Sequence, residues 1–265
     1  MARNPLKTTT VQFSIFGSVV GFHHALSTRE GGVSRGEFAS LNLGFHVGDE
    51  AEDVRENRRR FGQSAGFDVH RLVAAQQVHG ERGRVVGSSD AGRGALNWES
   101  ALPDCDALLT RETNLPLLIL VADCAPILLV DPIQRALAVV HAGWRGALAG
   151  VAGKAVETMT REFGTQSGDV LAAIGPCLNV ENLEVGEEVA TEVEANNSRA
   201  VIRSLGTKPH LDLRALIQDD LTRAGVNPNH IEISPLCPRD SDDTFFSHRG
   251  QNGRAGRFGI VAWWD

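Results

Sequence analysis

Apolar residues in this 265-residue chain come in short runs set between polar, glycine-rich stretches, and two of those runs, 117–130 and 135–141, are nearly unbroken. Unbroken Leu, Ile, Val and Ala runs of strand length predict strands buried on both faces, and the Pro-containing break at Pro132–Ile133 predicts that they pair as an antiparallel hairpin. Upstream, 13–22 reads as a strand. The stretch 27–49 is rich in Gly, Ser and Asn but carries Phe38, Leu41, Leu43 and Phe45, which predicts a long ordered loop. A helix is expected over 51–62, with Asp49 as N-cap, acids in its first turn, bases in its last and Gly62 closing it. Strands are expected at 70–80 and at its partner 82–90, an exposed loop over 87–101, and a short strand at 104–110. Leu148, Val151, Ala155 and Met159 share one face of a predicted helix over 146–164. A buried strand at 169–178, an acidic helix at 183–195 and a helix at 210–225 stopped by Gly225 follow. Strands at 231–237 and 258–264 enclose the loop 245–257. Mixed strands with interleaved helices and no internal repeat predict a single α/β or α+β domain.

Composition narrows the function classes. Apolar residues make up 42% and charged residues 22%, as in globular proteins generally. With 26 basic against 33 acidic residues, a net charge of −7 and no basic block longer than Arg58-Arg59-Arg60, a nucleic-acid partner is not expected. No apolar window is long enough for a membrane span. Cys105, Cys124, Cys177 and Cys237 form no CxxC pair, which argues against a zinc ribbon or a disulfide framework and for reduced thiols in the cytoplasm.

The hairpin raises the chemical question. Centred on Pro132–Ile133, it would set Cys124 directly opposite His141, with β-carbons about 4.5–5.5 Å apart, close enough for sulfur and imidazole to share an ion or a proton; a bulge at Pro126 would shift that register. A buried thiol beside a core histidine is the plain alternative. Asp123 speaks against it, because a carboxylate in an apolar strand is costly unless it is paired, and so does the "GWRG" that follows His141, just ahead of a helix N-terminus that favours anions. For a third ligand, His79 at a strand end beside Gly80 is the best placed, with His24 and His46 next. Two His and one Cys suit Zn2+ with a fourth position open, and also suit copper.

"STREGGVSRGEFASLNLGFHVGDE", "QQVHG", "VADCAPILLVDP", "HAGWRG", "IGPC" and "EVGEEV" stand in order over nearly the whole chain. Together they resemble the YfiH-like family, described as laccase-domain or multicopper polyphenol oxidoreductase proteins and as purine nucleoside phosphorylases. The resemblance implies a cytoplasmic α+β domain of two mixed β-sheets flanked by helices, over residues 1–265, with His79, Cys124 and His141 as metal ligands. It also implies phosphorolysis of adenosine, inosine and methylthioadenosine, with adenosine deamination; phenol oxidation with copper and peptidoglycan-precursor editing are ascribed to members too. The family's usual tyrosines in "YEVG" and "FFSYRR" are Leu183 and His248 here, in a chain that has no tyrosine.

A cluster of several copper ions needs many histidines, commonly spaced His-x-His, and none of the nine here is so spaced, so one mononuclear site is expected. Phosphorolysis needs a phosphate site, for which Arg29, Arg145 and Arg249 are candidates, and Asn42 could bind ribose or base. Asp123 is expected to orient a ligand histidine or to accept a proton. Small-molecule partners, a purine nucleoside and phosphate, and a monomer or small homo-oligomer complete the expectation. Without metal, Cys124 and His141 would form a nucleophile–base pair suited to amide hydrolysis.

Overall fold

The computed structural model describes residues 10–196 and 198–265. Along the chain run β1 (Thr10–Val11), β2 (Phe22–Ser27), α1 (Ala51–Ala65), β3 (Val73–Ala74), β4 (Gly83–Val85) and β5 (Ala107–Thr110). Then come β6 (Leu117–Val121), β7 (Ala125–Asp131), β8 (Ala136–Ala142), α2 (Trp144–Leu148), α3 (Val151–Phe163) and β9 (Leu171–Ile174). The last third holds α4 (Glu187–Glu194), β10 (Val201–Ile202), β11 (His210–Leu211), α5 (Leu213–Arg223), β12 (Ile231–Ile233) and β13 (Phe258–Trp264).

Two mixed sheets form, ordered β1-β2-β13-β6-β3 and β12-β9-β7-β8-β5-β4, beside the small pair β10-β11. Alternation along β7 explains its unbroken hydrophobicity. Leu128 and Val130 point between the sheets, where they meet Leu26, Val73, Ile119, Phe258 and Ile260. Ile127 and Leu129 point the other way, into a core shared with Val151, Ala155 and Met159 of α3 and Leu216 and Ile217 of α5. The outer face of the five-stranded sheet, with Leu118, Leu120, Val261 and Trp263, is covered by Phe61 of α1 and by Leu41 and Leu43 of the long loop. The layers are helix, sheet, sheet, helix, an α+β arrangement of two mixed sheets flanked by helices.

Several elements depart from the sequence reading. The runs 117–121 and 125–130 do not make one strand: β6 belongs to the first sheet and β7 to the second, and Asp123 turns the chain between them with φ 87°. The hairpin is β7–β8, and it closes through a four-residue loop whose Ile133 and Gln134 N–H groups donate to the Asp131 carboxylate. Pro126 therefore faces His141, and Cys124 falls beside Gly143, two residues from the expected register. A shift of two preserves the face, so Cys124 and His141 remain diagonal neighbours.

Residues 13–22 do not form a strand. Ser14–Phe16 make a 3-10 turn, and Phe13, Phe16 and Phe22 bury their rings around His24. β4 pairs in parallel with β5 instead of with 70–80, of which only Val73–Ala74 is a strand. Helix α1 runs past Gly62 to a left-handed Gly66; at Gly62 a Cβ would stand 3.1 Å from the Phe67 carbonyl, so that glycine serves close packing and not termination. Glu50, not Asp49, is its N-cap. The stretch 87–101 buries Gly94 and Ala95. The helix at 146–164 breaks at Gly150, φ 79°, and the amide of Gly153 donates to the Asp220 carboxylate of α5 at 2.8 Å. The helix that follows His141 directly is therefore the short α2, and the first turn of α3 faces Asp220 instead of the cavity.

Candidate active site

The strand ends that meet at one edge of the sandwich define a cavity of 590 Å3. His79 follows β3 in a left-handed conformation, φ 61°; Cys124 precedes β7; His141 lies near the end of β8. Their donor atoms all lie within 4.8 Å of one another, and the two imidazoles meet edge to face with centroids 4.7 Å apart. The trio thus draws on both sheets.

The residue that holds it together is Asp106, which the sequence reading did not single out. It is fully buried and stands across from His141, one step past the last paired residues of β5 and β8. Its Oδ1 accepts from His141 Nδ1 at 2.8 Å and from the His79 amide at 3.0 Å, and its Oδ2 accepts from the amides of Gly80 at 2.8 Å and Val78 at 3.2 Å. One carboxylate therefore fixes the tautomer of His141, with Nε2 turned toward Cys124, and the backbone that carries His79. The expected signal was present in "DCDALLT": an acid at the head of an apolar strand, the argument applied only to Asp123.

Asp123 does not orient a histidine. Its carboxylate accepts from Ser247 Oγ at 2.7 Å and from the Arg249 amide at 2.6 Å, tying the 247–253 loop to the turn that carries Cys124. Burial works against ionisation of Cys124, but the charge and hydrogen bonds of His141 and His79 override it and bring the thiol well below its ordinary value. Burial would likewise depress His141, yet Cys124 and Asp106 lift it above its ordinary value. Both shifts favour a thiolate beside an imidazolium when no metal is bound. Two imidazoles and a thiolate are a donor set that fits Zn2+ or copper.

Of the other predicted residues, Arg145 and Arg249 line the cavity and Arg29 and Asn42 do not. Arg29 donates to the carbonyls of Ala39 and Asp242 and lies over the Phe246 ring, so it shapes the long loop. Asn42 is fully buried; its amide donates to Asp49 and Gly44, and its oxygen accepts from the backbone of Gly44 and Arg257. His24 is remote, its Nε2 accepting from the Phe13 amide at 2.8 Å, whereas His46 lines the cavity against Trp98, centroids 5.0 Å apart. Leu183 and His248 both face the cavity, as does Arg257, a residue the sequence reading passed over. Among the described residues no carboxylate forms an ion pair with Arg145, Arg249 or Arg257, and the sole lining acid is Asp123, already engaged.

No helix among the described residues is long and apolar enough to cross a membrane. Residues 23–265 match the model of the family described as multi-copper polyphenol oxidoreductase laccase. The chain is 38% identical over 246 residues to the purine nucleoside phosphorylase YlmD of Geobacillus stearothermophilus, covering 91% of this chain and 88% of that protein. It is 34% identical to a purine nucleoside phosphorylase of Bacteroides thetaiotaomicron, over 92% of each. In three dimensions it is similar to the crystal structure of Bacillus licheniformis hypothetical protein YfiH (TM-score 0.92, 29% identity, 99% of this chain and 100% of that one). It is similar also to the structure of the Geobacillus stearothermophilus YlmD (TM-score 0.89, 35% identity, 93% of each). The chain belongs to the multi-copper polyphenol oxidoreductase laccase family, the YfiH-like proteins.

Proposed function

We propose that the protein is a metal-dependent purine nucleoside phosphorylase acting on adenosine, inosine and methylthioadenosine, with adenosine deamination as a side reaction. One observation carries this reading: a single cavity combines the His79, Cys124 and His141 donor set with three guanidinium groups that have no carboxylate in ion-pair contact among the described residues. In a protein of net charge −7, such a concentration of positive charge favours an anionic substrate. The relatives' names as purine nucleoside phosphorylases agree with it.

In the reaction an oxygen of phosphate bonds to C1′ of the nucleoside as the C1′–N9 bond breaks; the base departs with a proton and ribose 1-phosphate remains. A Zn2+ or Cu2+ ion held by His79, Cys124 and His141 would supply Lewis-acid polarisation of an oxygen, of phosphate in one reaction and of water in the other. The positive field of the guanidinium groups draws the phosphate into the cavity. Trp98, Leu120, Leu178 and Leu183 give the apolar walls that a purine needs, and narrow the water-filled space around it.

A second reading is favoured by the series Cys124, His141, Asp106. With no metal bound it is a nucleophile, a base and an orienting carboxylate, the set needed for amide hydrolysis through an acyl-enzyme.

Product analysis separates the two. Adenosine and inosine are incubated with zinc-loaded protein, with and without phosphate, beside Cys124→Ala. Free base and ribose 1-phosphate that appear only with phosphate, and vanish in the variant, are expected. No turnover by the loaded protein, together with amide hydrolysis that persists in chelator, would replace the first reading by the second.

A further inference from the structure

The three cavity arginines are not equivalent. Arg145 is exposed and lies over the Trp144 ring, 4.4 Å from its centroid. Arg249 is exposed as well, and its Nη1 donates to the carbonyls of Glu184 and Asn182 at 2.9 and 3.3 Å. Arg257 is half-buried, and its surroundings are built around it. Its amide donates to Asn42 Oδ1 at 2.8 Å, and its carbonyl accepts from the Leu43 amide at 2.9 Å. Asn42 is in turn locked by Asp49 and Gly44. At Gly44 a Cβ would stand 2.8 Å from Arg257 Cγ and 3.1 Å from its Cβ, so the loop makes room for this stem by having no side chain there.

Nη1 of Arg257 donates to the carbonyls of Ala255 and Gly256, at 2.7 and 3.0 Å, which fixes the plane of the guanidinium. None of the described residues accepts a hydrogen bond from its Nε or Nη2, although the side chain lines the cavity shared with Cys124 and His141. A guanidinium anchored on one edge, with donors spare on the other and no carboxylate among the described residues in ion-pair contact, is the fork that recognises a tetrahedral oxyanion through two parallel hydrogen bonds.

We infer that Arg257 is the seat of the oxyanion in this cavity, with Arg145 and Arg249 supplying only field at its exposed rim, and that the class of ligand is a small tetrahedral oxyanion such as inorganic phosphate. The naming of phosphate as co-substrate rests on the phosphorylase reading; the binding of the anion does not.

The test is calorimetric titration of inorganic phosphate into zinc-loaded protein without nucleoside, on wild type, Arg257→Lys, Arg257→Met, Arg145→Met and Arg249→Met. Zinc content and melting temperature are measured on each. The scale of one charged hydrogen-bonded contact sets the expectation for Arg257→Met at about a tenfold or larger loss of phosphate affinity. Arg257→Lys keeps charge but not the fork and should fall between it and wild type, which keeps the test open if the methionine variant fails to fold. Arg145→Met and Arg249→Met should stay within about threefold of wild type, as screened rim charges do. Wild-type affinity in a folded, zinc-loaded Arg257→Met, equal losses in the rim variants, or no phosphate binding by the wild type would overturn the assignment. Phosphate binding that depends on Arg257, with no cleavage of any nucleoside, would support the seat and sink the phosphorylase reading alone.

Discussion

Asp106→Asn tests whether one buried carboxylate sets both histidines. The substitution keeps the shape and leaves one acceptor oxygen, while the other becomes a donor. With the amide nitrogen in the place of Oδ2, the Val78 and Gly80 amides lose their acceptor. Two orphaned N–H groups, both only part-buried, cost less than the about 1–3 kcal/mol each of fully buried ones, roughly 1–3 kcal/mol of stability together. With the nitrogen in the place of Oδ1, the His79 amide is orphaned and His141 Nδ1 must accept in place of donating. The imidazole proton then moves to Nε2, and the ring loses the lone pair that a metal would use. Either orientation damages the site, the first through the His79 backbone and the second through the His141 tautomer. Zinc affinity, measured by competition with a chromophoric chelator, should fall about 10–100-fold, and urea unfolding of the metal-free protein should show the stability loss. Zinc affinity within about twofold of wild type, with stability within about 1 kcal/mol, would refute the claim that Asp106 organises the cluster.

Two further expectations follow from other contacts. At Gly143 a Cβ would stand 3.0 Å from His79 Cδ2 and 3.1 Å from Cys124 Sγ, so Gly143→Ala should weaken zinc binding while the protein still folds; an unchanged absorption spectrum of the cobalt-substituted variant would show that the trio has slack. His24 is held near pKa 4 by burial, against 6.5 when unfolded. Below pH 6.5 the unfolded chain gains a proton that the folded one refuses, so stability declines as pH falls from about 6.5 to about 4, by about 3 kcal/mol in all. Urea midpoints in His24→Gln, whose side chain can still accept from Phe13, should lack that slope; an identical slope in the variant would move the cause elsewhere.

Much of this was legible in the chain because burial on both faces leaves a plain signature. The runs at 125–130 and 136–142 had to be central strands, and the face shared by Val151, Ala155 and Met159 had to meet them. His79, Cys124 and His141 come together as the spacing and the family resemblance predicted. The register did not, because the four-residue loop sits one position further along the chain than expected: Asp131 pairs with Ala136 and its carboxylate accepts from the Ile133 and Gln134 amides. The split between β6 and β7 was hidden as well: a turn through one left-handed aspartate costs no apolar residues, so hydrophobicity runs straight across it. Arg29 and Asn42 were plausible ligands by residue type, but polar side chains in a long ordered loop are consumed by the loop's own backbone. Asp106 is legible as an acid at the head of an apolar strand, but its partner lies 35 residues away, and only the β5–β8 pairing reveals which histidine it serves.

The turn at Asp123 carries the chain from one sheet to the other, and Cys124 is the first residue on the far side. His79 approaches from the first sheet and His141 from the second, so an ion gripped by all three would act as a rivet through the sandwich. Its binding free energy would then add to the cohesion of the whole molecule by mass action. Depleting the ion would loosen the docking of the two layers, and a substitution deep between them would be felt as weakened grip on the ion. Selection for a tight rivet and selection for a durable fold would act on the same residues.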